Sequence, residues 1–561
     1  MKPSLLLWST LVVSQFALSQ IKPELPREYI NTAYQLPGGK TWAAHTAMDL
    51  RTALQKSAPG DVIVLDAGTV YSGNFNLPAK TYSPPATADR NQWIYIISSQ
   101  MAELPAPGTR VDPNHDAAHM PKIVTPNATS VLTMKEGSKY LRLAGIEMYS
   151  ASTVGCHPEN IPPRNCSAYQ LVYAEGRWNT APDKLPDYLT VDRCYLHGSP
   201  TQDVREGVLG NAAHLAVIDS YISDIHQSTF DSQAVAAYAS PGPIKIVNNY
   251  LSATTEDVLF GGSGGKDNPY QPADIEIRNN HFYKPLAWAK VGVTLPPKPQ
   301  WLVKNNLEFK SGRRVIVENN AFENNWKSGQ DGTSIVFTVR TGQTGDLAVV
   351  DDILFQNNVI KNVPSGFSTL ANDYSCGSAG FPRCTNKGES KRVRITNNAI
   401  YFMDPAAPGG SRNNLAILAY ALSDYEFSHN STVPAVDAQG KAVTCWASIY
   451  FNVPPNTPWP PTEGSITNNI WILDNALCRQ PTGAYGAQGS AGLTKYMGDP
   501  PPLGNRLNGN VFFVPPGDKP QTWPQGNMTT QEPIKFTDDM RMVSPVWTKT
   551  TSGKQAGFQG N

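Results

Sequence analysis

The sequence predicts an all-β solenoid, a parallel β-helix, and three observations lead there. A phrase of alternating residues ending in Asn-Asn returns along the chain: residues 244–249 (IKIVNN), 275–280 (IEIRNN), 315–320 (VIVENN), 353–358 (ILFQNN) and 393–398 (VRITNN). Looser copies end at Asn430, Asn469 and Asn510, so the phrase repeats at steps of 31 to 41 residues. Self-similarity at periods of roughly 20–50 residues marks a solenoid or propeller. A second strand set lies between these phrases: SQAVAAY (232–238), EDVLFGG (256–262), NLEFKSG (306–312), SIVFTVR (334–340), LAILAYAL (415–422) and CWASIYF (445–451). Each coil therefore supplies at least two strands. Finally, Pro/Gly/Asn-rich insertions interrupt the coils at 158–166, 263–273, 291–300, 376–390, 404–413 and 452–463, as loops projecting from a solenoid do.

Taken in order, residues 1–19 read as a secretory signal peptide. They hold a Lys, an apolar core and a small-residue end at Ala17-Leu18-Ser19. Residues 20–60 form an N-terminal segment ending in the amphipathic stretch MDLRTALQKSA (48–58), with Leu50, Ala53 and Leu54 on one side. Pro59-Gly60-Asp61 stops that helix, which is the natural cap for the open end of a solenoid. Residues 61–515 are the β-helix. The tail 516–561, rich in Pro, Gly, Thr and Lys, lacks the repeat and is expected to lie outside the coils or over their C-terminal end.

Asn tolerates left-handed turn geometry, and its amide can bond its own backbone or the Asn one coil away. The Asn-Asn phrase is therefore a scaffold feature. The 561 residues carry 46 basic and 46 acidic side chains, which excludes a bulk electrostatic partner such as nucleic acid. Beyond the leader no stretch reaches the roughly 18 consecutive apolar residues of a membrane span. The expected product is a secreted monomer.

Seven Cys suit that compartment. Cys156/Cys166 and Cys376/Cys384 flank short loops, Cys445 and Cys478 lie about one repeat apart, and Cys194 reads as a buried free thiol.

The helix followed by APGDVIVLDAGTVYSG (58–73) resembles the entry to secreted right-handed parallel β-helix proteins of the pectate-lyase-like class. The likeness runs from about residue 45 to 515. It implies a right-handed coil and carbohydrate chemistry.

Candidate catalytic residues come from charges on strands. If Phe260, Phe309 and Phe337 point inward, strand alternation sends Asp257, Glu308, Lys310 and Arg340 to one outer face. Removing a proton next to a carboxylate needs a base at carbon and a group to neutralise that carboxylate. Lys310, with its pKa lowered by burial or a nearby cation, is the candidate base. Arg340 is placed to pair with a substrate carboxylate or protonate the leaving oxygen. Glu308 and Asp257 are candidate ligands for a Ca²⁺ that neutralises substrate charge. The series Glu308, Lys310-Ser311, Asn320, Arg340 resembles polysaccharide lyases of the chondroitinase B and alginate lyase type, which implies β-elimination on a uronate-containing chain. It departs in having Thr341-Gly342 where His-Gly follows the Arg.

Two alternatives stand beside the lyase. Asp231, Glu256 and Asp257 form a carboxylate constellation of the kind glycoside hydrolases use, one acid and one base or nucleophile. In the other, the charged row is a recognition surface of a non-catalytic binding or adhesion solenoid. His197, His214 and His226 fall near turns and are expected to line one groove. Trp288, Trp301 and Trp326 are expected beside Lys310.

Overall fold

In the computed structural model the coils close into three parallel sheets of 14, 11 and 14 strands. The structure describes residues 20–82, 90–151, 167–176, 181–200, 202–227, 230–262, 270–289, 301–340, 348–371 and 468–478, and 389–452 apart from a few single positions. It also describes 504–514, 516, 525–532, 536 and 556–557. Sheet A holds the Asn-Asn phrases, for example Ile244–Val247 paired in register with Ala273–Arg278. Sheet B is made of the short strands that follow each Asn pair, such as Tyr250–Ala253 and His281–Tyr283. Sheet C holds the second strand set, including Glu256–Phe260, Asn305–Phe309 and Thr333–Thr338. The chain is thus a right-handed parallel β-helix with three strands per coil. The third sheet is hard to see in sequence because its strands are only about three to five residues long.

The two Asn of each phrase do different jobs. The first takes the left-handed backbone that turns sheet A into sheet B: φ is 60° at Asn248, 57° at Asn279, 58° at Asn319, 57° at Asn357 and 53° at Asn397. The second is buried and stacks on its counterpart. Asn280 Oδ1 accepts from the backbone N–H of Asn249 at 2.9 Å and from its amide at 3.0 Å, and its own Nδ2 donates to Ile246 O. The same pattern links Asn280, Asn320, Asn358, Asn398 and Asn430. It then passes to Asn475 and Asn510. The expected rung at Asn469 is therefore corrected to Asn475. Asn469 lies inside the sheet A strand Asn468–Leu473. Toward the N-terminus the column continues in smaller side chains: Ser220 N–H donates to Asn249 Oδ1, and Cys194 N–H donates to Ser220 Oγ. Cys194 is a buried free thiol, pushed up to about 12 by burial.

Inside, one continuous apolar core fills the bore, with ring stacks such as Phe260 on Phe309 at 5.0 Å and Phe282 on Phe322 at 4.3 Å. The helix Ala47–Lys56 begins at a capping box in which Thr46 Oγ1 accepts from Asp49 N–H and the Asp49 carboxylate accepts from Thr46 N–H. Its Leu50, Ala53 and Leu54 join the core. Cys445 and Cys478 form a disulfide, whereas Cys156, Cys166, Cys376 and Cys384 lie outside the described residues. Sheet B continues past residue 515 with the strand Met528–Thr530, where Asn527 Oδ1 accepts from Asn510. No helix among the described residues is long and apolar enough to cross a membrane.

Residues 20–34 cross the outside of sheet A as an extended strap. The N–H groups of Ile21, Glu24 and Arg27 donate to the carboxylates of Glu426 (2.8 Å), Asp352 (3.0 Å) and Asp274 (2.8 Å). The strands bearing these carboxylates are two apart in sheet A. Three extended residues span about 10 Å, and two strand spacings about 9.6 Å. Farther along, Arg142 donates to the carbonyls of Thr32 (3.0 Å) and Ala33 (3.1 Å).

Candidate active site

The strands of sheet C carry a bend that decides which charges meet. Leu171 and Val172 both enter the core, as do Ala234 and Val235, so two consecutive residues face inward at this point of each coil. In the next coils the first inward place holds Asp257 and Asn306. Alternation counted back from Phe260 fails at the bend, and the expectation that Asp257 emerges on the outer face is corrected. Asp257 is fully buried beside the equally buried Lys284, whose Nζ lies 3.4 Å from Oδ1. It also accepts from Ala253 N–H at 2.7 Å and Asn306 Nδ2 at 2.9 Å. Burial pushes its carboxyl up to about 6 against the pull of Lys284.

The residue sent outward is Glu256. It belongs to a column in register along sheet C: Gln170, Glu206, Gln233, Glu256 and Asn305. Gln170 Nε2 donates to Glu206 Oε2 at 3.1 Å, the Tyr238 hydroxyl bridges Glu206 and Gln233, and Gln233 Nε2 donates to Glu256 Oε2 at 2.6 Å. Glu256 Oε1 is buried without a hydrogen bond among the described residues. Its nearest counter-charge is Lys304 Nζ at 3.8 Å. Lys304 also pairs with Asp231, so two carboxylates share one ammonium.

One strand farther, Glu308 sits at the end of an outward apolar stripe of Leu209, Ala236 and Leu259. Its Oε2 accepts from Asn305 Nδ2 at 3.0 Å, and its Oε1 lies 3.8 Å from Lys310 Nζ. Burial, reinforced by the Glu308 charge, pushes the Glu256 carboxyl up to about 7. Burial would lower the Lys304 ammonium, but Glu256 and Asp231 outweigh it and hold it above its usual value.

Glycine makes room for Lys310. Gly261 and Gly262 have φ of 74° and 81°, and a Cβ on Gly262 would come within 2.4 Å of Lys310 Cδ. Arg340 is exposed, and its backbone N–H donates to Lys310 O at 2.9 Å, so the two residues sit at neighbouring strand ends.

Of the residues singled out in sequence, the structure brings together Asp231, Glu256, Glu308, Lys310 and Arg340, and it separates Asp257. The donor set for Ca²⁺ does not fit: Asp257 is spent on Lys284 inside the coil, while Glu308 bonds Asn305 and Lys310 outside it. Among the described residues no group of three or more His, Cys, Asp or Glu is placed to hold a metal ion. The three histidines do not share a groove. His197 stacks on Tyr195 in sheet B, His214 stacks on Tyr188 at sheet A, and His226 is buried against Trp301 at 3.7 Å. Trp288 meets His226 edge-on at 5.8 Å, so two of the three tryptophans pack against that ring.

Sequence reasoning missed Lys304, Gln233, Glu206, Tyr238 and Lys284. A signal for the column was present: Gln170, Glu206, Gln233, Glu256 and Asn305 each stand two residues before Val172, Val208, Val235, Val258 and Leu307.

These features define a parallel β-helix with an acid–ammonium cluster on the outer face of one sheet. Comparison with known proteins gives fold likeness at low identity. An alginate lyase from Paenibacillus sp. str. FPU-7 matches at 15% identity and a TM-score of 0.38, over 71% of this chain and 96% of that one. The PL6 family alginate lyase AlyGC matches at 11% identity and 0.48, over 92% of this chain and 56% of that one. A PL6 family polysaccharide lyase from Pseudopedobacter saltans matches at 11% identity and 0.39, over 93% of this chain and all of that one. No family model matches the chain, and no curated protein matches it.

Proposed function

We propose that the protein is a secreted polysaccharide lyase that cleaves uronate-containing chains by β-elimination on the outer face of sheet C. The observation that supports this best is the placement of Lys310 and Arg340 at adjacent strand ends, joined through Arg340 N–H and Lys310 O at 2.9 Å, above the buried Glu256 and Glu308. Arg340 engages the substrate carboxylate and draws charge from the neighbouring carbon. Lys310 takes the proton from that carbon. The electron pair forms the C=C bond as the C–O bond to the leaving sugar breaks, and Glu256, held protonated up to about pH 7, supplies the proton to the leaving oxygen.

A glycoside hydrolase is the second reading. It is favoured by the adjacency of Glu256 and Glu308, where burial and the Glu308 charge push the Glu256 carboxyl up to about 7, as a proton-donating acid requires. Incubation with alginate, pectate and chondroitin separates the two. Elimination produces the ultraviolet absorbance of an unsaturated uronate, which Lys310→Ala abolishes. Hydrolysis produces reducing ends without that absorbance, with Glu256→Gln inactive and Lys310→Ala active.

A further inference from the structure

Three successive coils put polar side chains where the bore is otherwise apolar. The first inward place of sheet C holds Leu171 and Ala234 in earlier coils, then Asp257, Asn306 and Ser334. These three side chains and Lys284 beside Asp257 are completely closed to solvent. Burying a charged pair is costly, and apolar residues of similar volume often serve a fold equally well. Packing alone therefore gives no reason for this group.

One carboxylate touches both an amine and a carboxamide. Asp257 Oδ1 lies 3.4 Å from Lys284 Nζ, and Asp257 Oδ2 accepts from Asn306 Nδ2 at 2.9 Å. The Ser334 hydroxyl donates to Asn306 Oδ1 at 2.8 Å, the oxygen on which charge collects when a carboxamide carbon is attacked. Lys284 Nζ is held by the carbonyls of Ala253 (2.6 Å) and Thr254 (3.2 Å). Asn324, one coil on, grips both partners: its Nδ2 donates to Lys284 O at 2.9 Å and its O accepts from Asn306 Nδ2 at 3.4 Å. Burial pushes the Asp257 carboxyl up to about 6 and lowers the Lys284 ammonium, the latter against the pull of Asp257 and Glu256. Both shifts lean toward the neutral pair, in which the acid can give a proton and the amine can act as a nucleophile.

We propose that Lys284 and Asn306 join in an intramolecular amide cross-link, with Asp257 as the acid–base group. Lys284 Nζ forms a bond to Asn306 Cγ. Asp257 takes the proton that Nζ sheds and delivers a proton to Nδ2. The Cγ–Nδ2 bond then breaks and ammonia leaves. One amide replaces another, nothing is oxidised or reduced, and Asp257 ends as it began. Exclusion of solvent removes water as a competing nucleophile. The link closes one coil on itself, from the end of its sheet B strand to its sheet C strand, across residues 285–304. It is independent of the reaction assigned to the outer face of sheet C.

The test is a tryptic digest of the full chain read by tandem mass spectrometry. Cleavage after Arg278, Lys290, Lys304 and Lys310 frees residues 279–290 and 305–310, because trypsin spares the Lys284–Pro285 bond. The two should emerge as one branched peptide, lighter than their sum by one ammonia, with fragment ions placing the bond between Lys284 and Asn306. Asp257→Asn, which keeps the shape but removes the acid–base group, should release them as two linear peptides. Separate peptides from the wild type, a branched peptide short by water instead of ammonia, or branching retained in Asp257→Asn would each overturn the proposal. The wild-type digest decides the matter if Asp257→Asn does not fold.

Discussion

Two columns of buried polar side chains run along this solenoid, and they behave oppositely. In the Asn ladder each amide oxygen takes two hydrogen bonds from the previous rung and each amide nitrogen is donated, as Asn280 and Asn320 illustrate. In the sheet C column the chain of bonds runs from Gln170 to Glu256 and ends there, with one carboxylate oxygen lacking a hydrogen bond among the described residues and three acids, Asp231, Glu256 and the neighbouring Glu308, sharing two ammonium groups. Repetition marks the part that holds the coils together. The proposed chemistry falls where the repeat is broken by charge and one buried acid oxygen has no hydrogen bond among the described residues.

Four experiments break or sharpen that contrast, in decreasing order of effect. Lys310→Ala should lower turnover by about 10²–10⁴-fold, the usual worth of a general base, while leaving the unfolding midpoint nearly unchanged. Retained turnover would detach the chemistry from the broken column. Asp257→Ala should cost about 3–5 kcal/mol in denaturant unfolding, because it strands Lys284 as an unpaired buried charge. Restoration by the further change Lys284→Met would assign the loss to that charge.

In the satisfied column, Asn320→Ala removes the partners of Asn280 N–H and Ile277 O and should cost about 2–4 kcal/mol, with turnover of the remaining folded protein intact. The smallest effect is on pH dependence. Glu256 titrates near 7 in the fold against 4.5 for a free Glu, so the fold holds a proton that the unfolded chain releases. Its contribution is complete below about pH 4.5 and is lost as pH rises toward 7. Glu256→Gln should flatten that part of the stability profile, measured by urea unfolding at pH 4.5 and 7.5.

The scaffold was legible because it is periodic. The Asn-Asn phrase fixed sheet A, the phenylalanine-bearing strands found most of sheet C, and the spacing of Cys445 and Cys478 anticipated a staple. The site was legible only in part. Glu308, Lys310 and Arg340 obey simple alternation because they follow the bend. Asp257 precedes it, and two inward residues in a row exchange its place with that of Glu256. Lys284 was invisible for a different reason: it comes from a sheet B strand end, and nothing in its own segment marks it as the counter-ion of a residue 27 positions earlier.

The strap has a consequence for how this chain can change. Its amide groups meet carboxylates at every third residue, and those carboxylates recur on every second strand. The two scales work like a vernier. Deleting one coil between Asp274 and Glu426 would slide the marks out of phase by half a division, whereas deleting two and three strap residues together restores coincidence. Between Asp274 and Glu426 the strap thus keeps count of the coils it crosses, while adding no strand to the sheet.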